Sequence, residues 1–521
     1  GTSSVWSQDR TIKGIENINV LFDVTTGAAF DAAKVAGATI KASVPANRVG
    51  FMGDVAILSA GRNNVVADAK LTTLKVTGLT SGWVNVGPSV KTLALENKNN
   101  NSPLAYDIQG IRNDMTISVD SSSATVSPSI TLQADKDSVV TLKRAAGSTI
   151  ALGSIQETSD AKISIVVDFS DLPSTTAPTV RGFKELRLNG SQNDFNLMGV
   201  DARQKISYLG TSTVGYTNVD GHTLLSNGDL KITPAKSGVS TAVLEIAKTD
   251  SSIGVTDKFA SLNINPLSVD AFSIEPPSQP TPKPLADSLI VAVKNDITIK
   301  DLRAGKTVEL RGVGDVSLPN FNTYEMRFKV SAASLDGGLR LTIPNSATSL
   351  GAVTVEGGKK NDLIEINRPG NLKESIDTGA GDDVVSYVKG SWDVSDTVNG
   401  GDGADTLRLL SKHAVWLDGT TTQTISFQTI EIADALGANV YKLENVCADS
   451  STLNVTGNTD PTGEGAALSV TDATIIGPAG NFTLGLGTSL AANTKGVLAP
   501  LGILTITDTG TGTNDSLTIN N

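Results

Sequence analysis

Apolar and polar residues alternate along nearly the whole chain. Leu71–Val76 (LTTLKV), Val139–Leu142 (VVTL), Ile163–Val167 (ISIVV) and Leu501–Ile506 (LGILTI) each repeat with a period of two. A strand imposes that period because successive side chains point to opposite faces. Clusters of Gly, Asn, Asp, Ser and Thr interrupt these runs at short intervals, which predicts many short strands joined by turns. Helical periodicity is nearly missing. One segment, Ala28–Ala36 (AAFDAAKVA) followed by Gly37, predicts about two turns of helix.

A turn followed by an alternating strand recurs: GIENINV at Gly14–Val20, VKTLAL at Val90–Leu95, FKELRL at Phe183–Leu188 and FQTIEI at Phe427–Ile432. Such a unit cannot bury its apolar face alone, whereas a stack of them buries a continuous core. This predicts β-solenoid segments over 1–204 and 285–521, with a β-sandwich as the competing arrangement. The middle follows another rhythm, with strands expected at Ile206–Leu209, Leu230–Thr233, Ala242–Ile246 and Phe259–Ile264. There GDLKITPAKSGVSTAVLEIAKTD, followed by FASLNINP, resembles bacterial Ig-like or cadherin-like surface domains. The resemblance implies an Ig-like β-sandwich insert over 205–268, short enough that it would borrow a strand or begin earlier. Pro276–Pro284 (PPSQPTPKP) is the densest proline cluster and predicts an extended, semi-rigid linker over 269–284. The fold class expected is all-β: a parallel β-helix or β-roll-like solenoid with one sandwich insert.

Composition narrows the function. The 521 residues suggest roughly three domains, and 42 Lys+Arg against 54 Asp+Glu leave a net charge of −12. Acidity of that size argues against nucleic-acid partners, which need a basic surface. No run approaches ~18 apolar residues, so no membrane-spanning helix is expected. Aromatics are only 4%, so the core must be Val, Ile, Leu and Ala, which suits thin stacked layers. The single cysteine, Cys447, precludes an intrachain disulfide and reads as a small buried apolar residue. The chain opens Gly1-Thr2-Ser3 without a signal-like segment, as expected of a fragment, a processed chain or a product exported without an N-terminal signal.

One motif carries chemistry. Residues 400–408, GGDGADTLR, fit Gly-Gly-x-Gly-x-Asp-x-apolar-x at every specified position. Residues 378–386, TGAGDDVVS, fit with Thr378 for the first Gly, and 357–365, GGKKNDLIE, fit with Lys360 for the third. Their starts are 21 and 22 residues apart. The glycines permit positive φ and a tight turn whose carbonyls point inward. The Asp adds a hard carboxylate. Calcium takes six to eight oxygens, more than one turn offers, so two stacked turns would share an ion. The candidate ligands are Gly357, Lys359, Asn361 and Asp362 in the first turn. They are Thr378, Ala380, Asp382 and Asp383 in the second, and Gly400, Asp402, Ala404 and Asp405 in the third. A weaker echo, GTGTNDSLT at 510–518, adds Asp515. The apolar residues Ile364, Val385 and Leu407 are expected to start a strand and face the core.

This pattern resembles the nonapeptide calcium repeats of RTX proteins, the Gram-negative family exported by type I secretion, and the resemblance implies Ca2+ as the bound ion. Tandem nine-residue repeats form a tight β-roll; here 12 or 13 residues separate the motifs, which implies one calcium turn per rung of a wider parallel β-helix. Lys360 removes a glycine and adds a positive charge beside the first turn, leaving occupancy there open. The order VNGGDGADTLRL, a variable stretch, then FQTIEIADA, with a similar second half in IKGIENINV, resembles calcium-dependent S-layer proteins of Gram-negative bacteria. That implies an extracellular structural protein that assembles with its own copies into a surface lattice. A cell-surface polysaccharide or lipopolysaccharide partner would be met through a part outside this chain. The competing readings are a segment of a large RTX adhesin and, third, the non-catalytic part of an RTX enzyme.

Catalytic constellations fail, and no enzyme is expected. His222 and His413 stand far apart without metal or nucleophile spacing, and each reads as a solvated or hydrogen-bonded surface residue. Gly305-Lys306-Thr307 lacks the first glycine of a phosphate loop and reads as a hairpin turn. Asp382-Asp383 could pass for a glycosidase pair, but its place within the glycine turn favours ion binding. Trp6, Trp83, Trp392 and Trp416 are too scattered for a sugar platform.

Overall fold

The computed structural model describes residues 14–520 except 23–27, 33–34, 36, 44–53, 81, 97–104, 121–128, 145–153, 161, 169–178, 190–193, 203, 210–212, 276–285, 324–326, 345–350, 369–371, 388–391, 393–394, 410–423, 433–439, 443–446, 456–473, 477–480, 487–504 and 508–516. The chain is an all-β, parallel β-solenoid; among the described residues there is no helix. None is therefore long and apolar enough to cross a membrane, which leaves strand-built membrane spans unaddressed. It divides into two compact units, 1–236 with 241–243, and 244–521 with 237–240.

In the first unit, successive strands go alternately to different ladders, so each strand pairs with its second neighbour in sequence. One ladder runs from Asn17–Leu21 through Thr39–Ser43 and Asn64–Ala67 to Thr179–Arg181. Another runs from Ala28–Asp31 through Asp54–Leu58, Thr73–Thr77 and Thr92–Glu96 to His222–Ser226. Like residues stack in register: Leu74 on Leu93, Leu93 on Ile117, Ile117 on Leu142. These four are fully buried, each contributing about 2 kcal/mol relative to exposure. The alternate positions, Thr73, Thr92, Thr116 and Thr141, stack on one another along the other face.

Three expectations are corrected here. The helix expected at 28–36 is a strand at Ala28–Asp31, paired in parallel with Asp54–Leu58 so that Phe30 meets Ile57. Alanine's preference for helix is worth tenths of a kcal/mol per residue, less than a place in the stack. The Ig-like insert at 205–268 is also solenoid. In the first unit Lys205–Tyr208 pairs in parallel with His222–Ser226, and Val214–Val219 with Leu230–Pro234. In the second, Ser251–Val255 pairs in parallel with Ala271–Glu275, and Phe259–Pro266 with Ala286–Val293. An Ig sandwich is antiparallel; both folds show period-two alternation, and only the pairing partner tells them apart. Ala271–Glu275, inside the expected linker, is thus a paired strand, while the proline cluster lies outside the described residues. Third, Gly305-Lys306 is a corner rather than a hairpin: the strands it joins, Leu302–Ala304 and Thr307–Gly312, pair with different partners. A Cβ at Gly305 would lie 2.0 Å from the Ala286 carbonyl oxygen, so glycine lets this corner rest on the rung beneath.

The second unit carries the motif. One ladder includes Arg327–Leu335, Ala352–Glu356, Glu374–Asp377 and Thr397–Asn399. The other includes Leu339–Ile343, Leu363–Ile366, Val384–Tyr387, Thr406–Leu409 and Phe427–Ile432. Each glycine-rich motif is the corner between them: 357–362 follows Ala352–Glu356, 378–383 follows Glu374–Asp377, and 400–405 follows Thr397–Asn399. As the spacing predicts, Ile364, Val385 and Leu407 stack in register, fully buried, with Ile430 beneath.

Candidate metal site at the stacked corners

The second and third corners superpose because glycine permits it. Gly379 and Gly401 have φ of 92° and 81°, and Gly381 and Gly403 have 134° and 149°, values an L side chain rarely adopts. A Cβ on Gly403 would lie 1.7 Å from the Gly381 carbonyl oxygen, and one on Gly401 2.0 Å from that of Gly379. The corners bond directly: the Gly381 N–H donates to the Asp402 carbonyl and the Asp402 N–H to the Gly379 carbonyl, both at 2.9 Å. Ala380 and Asp402 form the bridge between them.

The motif aspartates form a column. The Leu339 N–H donates to Asp362 Oδ1 and the Asp362 N–H to Asp383 Oδ1, each at 2.7 Å; the Asp383 N–H donates to Asp405 Oδ1 at 2.9 Å. Each carboxylate therefore ties its own rung to the one before. Asp362 is 2% exposed, and Asp383 and Asp405 are 0% exposed. Asp362 Oδ2 accepts from the Gly358 N–H at 2.7 Å. Oδ2 of Asp383 and of Asp405 is buried without a hydrogen-bond partner, a costly condition for an ionised oxygen. Burial accordingly pushes the Asp362 carboxyl up to about 7, with the Leu339 and Gly358 N–H groups opposing the rise. Burial likewise pushes Asp405 up to about 6 and raises Asp383, where the Asp362 N–H and the Thr378 hydroxyl oppose the rise.

The remaining candidates surround this column. Asn361 Oδ1 accepts the Asp382 N–H, and Asp382 Oδ1 accepts the Ala404 N–H, both at 2.9 Å, making a second column nearer the surface. The Thr378 hydroxyl donates to the Gly400 carbonyl at 2.6 Å. Gly357 and Gly400 leave room for a carboxylate: a Cβ there would lie 2.2 Å from Asp362 Oδ2 and 2.8 Å from Asp405 Oδ2. Lys359 turns outward to pair with Asp336, Nζ to Oδ1, at 2.6 Å. Asp515 lies outside the described residues.

Sequence reasoning missed both ends of the column. The Gln428 side-chain oxygen accepts the Asp405 N–H and ends it with a neutral group. Upstream, the Asp315 N–H donates to Asp296 Oδ1 at 2.9 Å, and the Gly338 N–H to Asp315 Oδ1 at 2.8 Å. Gly312-Val313-Gly314-Asp315-Val316 holds half of the motif, and that was the available signal. Also missed was a buried ionic group in the same rungs. Arg368 Nη1 lies 3.5 Å from Glu374 Oε1, both side chains 0% exposed, and the Glu374 N–H donates to buried Asp396 at 2.9 Å. Buried Trp392 stands edge-on to Tyr387, centroids 4.8 Å apart. His222, expected at the surface, is buried at 3% exposure. Its Nδ1 accepts the Asp220 N–H at 3.0 Å, and Nε2 meets the Val200 carbonyl at 3.3 Å. Burial lowers its pKa, and its role here is to hold a corner. His413 lies outside the described residues.

Among the described residues no three His, Cys, Asp or Glu side chains gather as a metal cluster. A cation at the corners would instead be held by the Asp383 and Asp405 carboxylates together with backbone carbonyls. The partnerless buried Oδ2 atoms and the all-oxygen donor set fit a hard divalent ion. No protein-family model, curated protein or solved structure matches the chain.

Proposed function

We propose that this chain is a structural protein of the bacterial cell surface, a solenoid stapled by calcium that assembles with copies of itself into an extended sheet. The observation that carries the reading is the pair of buried carboxylates, Asp383 and Asp405, whose second oxygens lack hydrogen-bond partners. Bound calcium supplies the positive charge that lets both ionise inside the fold. The chain's own part is to hold them: glycine corners bring the rungs into contact, and each Oδ1 is fixed by a backbone N–H.

The shape of the fold supports the structural side of the reading. Among the described residues the stacked parallel rungs repeat the same strand and corner positions, and head-to-tail contacts between copies extend without limit unless a rotation closes them. At −12 net charge, copies repel over roughly 8 Å at physiological salt, and calcium at acidic contacts offsets that repulsion. The test is light scattering and electron imaging of the purified protein across chelator, magnesium and millimolar calcium. Extended assemblies are expected in calcium alone, because magnesium demands a smaller octahedral shell and releases water reluctantly. A chain that binds calcium yet stays monomeric throughout would overturn the lattice reading in favour of an adhesin stalk. A chain that binds no calcium would overturn the staple as well.

A further inference from the structure

The first corner departs from the repeat at Lys360, and its backbone departs with it. The second and third corners each use two glycines of positive φ, Gly379 with Gly381 and Gly401 with Gly403. Lys360 replaces the glycine equivalent to Gly381, and no residue from 357 to 362 has positive φ. In this path the Gly358 N–H turns onto Asp362 Oδ2 at 2.7 Å, while the Leu339 N–H donates to Oδ1, also at 2.7 Å. Both oxygens of Asp362 are therefore held by backbone donors. The equivalent Oδ2 atoms of Asp383 and Asp405 have no such donor. A fixed cation also stands at this corner, the Lys359 ammonium, paired with Asp336 at 2.6 Å.

We infer that the first corner is a metal-free counterpart of the other two, and that among these three described corners calcium is taken at the step between 378–383 and 400–405. The inference rests on the calcium reading above and narrows it. An ion at Asp362 would have to displace N–H donors and leave them buried and unpaired, which costs about as much as the lost hydrogen bonds. At Asp383 and Asp405 an ion displaces no backbone donor from Oδ2, and the one side chain set against the Asp383 carboxylate, the Thr378 hydroxyl, has the Gly400 carbonyl to turn to. Lys360 is thus the residue that sets where loading begins: it cannot follow the glycine path, and the path it follows gives both Asp362 oxygens a backbone donor.

Calcium titration calorimetry on the full chain tests this. Asp383→Asn and Asp405→Asn are each expected to weaken binding at this step at least tenfold. Lys359→Met, which keeps the backbone and removes an exposed charge, is expected to leave affinity within twofold. Lys360→Gly is expected to add one calcium to the stoichiometry. Tightening of more than fivefold in Lys359→Met would place the ion at the first corner and overturn the inference. So would an unchanged stoichiometry in Lys360→Gly, because the corner would then be dry for another reason. Absence of calcium binding in the unaltered protein would overturn the calcium reading and this inference together, whereas calcium binding with the wrong variant pattern overturns this one alone.

Discussion

Replacing Gly403 with alanine isolates what the stacked corners require. Two costs add at this position. At a φ of 149° an L side chain is strained by about 1–3 kcal/mol. The new Cβ would also lie 1.7 Å from the Gly381 carbonyl oxygen, about half of an ordinary carbon–oxygen contact, and backbone cannot yield as a flexible side chain does. Forced separation of the rungs adds about 1–3 kcal/mol, the usual cost of overpacking. Gly238→Ala is the control: its φ is 70° and nothing lies within 4 Å of the added carbon, so it bears conformational strain alone, about 1 kcal/mol. Thermal unfolding of the full chain, followed by circular dichroism, should show Gly403→Ala destabilised by about 2–6 kcal/mol and the control by about 1. In calcium the gap should widen, because separated corners lose the ion as well. If the two variants melted together, with and without calcium, the close stacking of these corners would be refuted.

Three further outcomes are expected. Asp362 and Asp405 have folded pKa values raised from 3.8 to about 7 and about 6, so the folded chain without calcium binds more protons than the unfolded chain across that window. Through these two groups the chelated protein should lose on the order of several kcal/mol as pH rises from 4 to 8, and saturating calcium should oppose the part of that loss that comes from Asp405. Chemical denaturation at several pH values reads the sign, and a chelated protein that gained stability over this range would contradict the buried column. Arg368→Met removes the cation 3.5 Å from buried Glu374 and should cost about 3–5 kcal/mol; a loss under 1 kcal/mol by urea titration would show the group to be relaxed. Leu407→Ala removes a fully buried rung contact and should cost about 2–5 kcal/mol, with the same titration as its measure.

Much of this protein follows from residue order alone. The period-two alternation implies strands, the recurrent strand–turn unit implies stacking, and three glycine–aspartate motifs at near-constant spacing imply one per rung. Ile364, Val385 and Leu407 were identifiable as core from their position after the aspartate, and they stack as expected. These features are local: they depend on which face a residue occupies and which φ it can reach. Pairing partners are not local. Residues 205–268 alternate as a sandwich would, and only their parallel neighbours make them solenoid. Ala28–Asp31 is drawn from helix to strand by Asp54–Leu58, a partner more than 20 residues away. The aspartate column shows the same division. Sequence marks Asp362, Asp383 and Asp405 as equivalents. Their environments differ because Lys360 sends one corner along another path, and because a carboxylate's charge is settled by the donors that the neighbouring rung places against it.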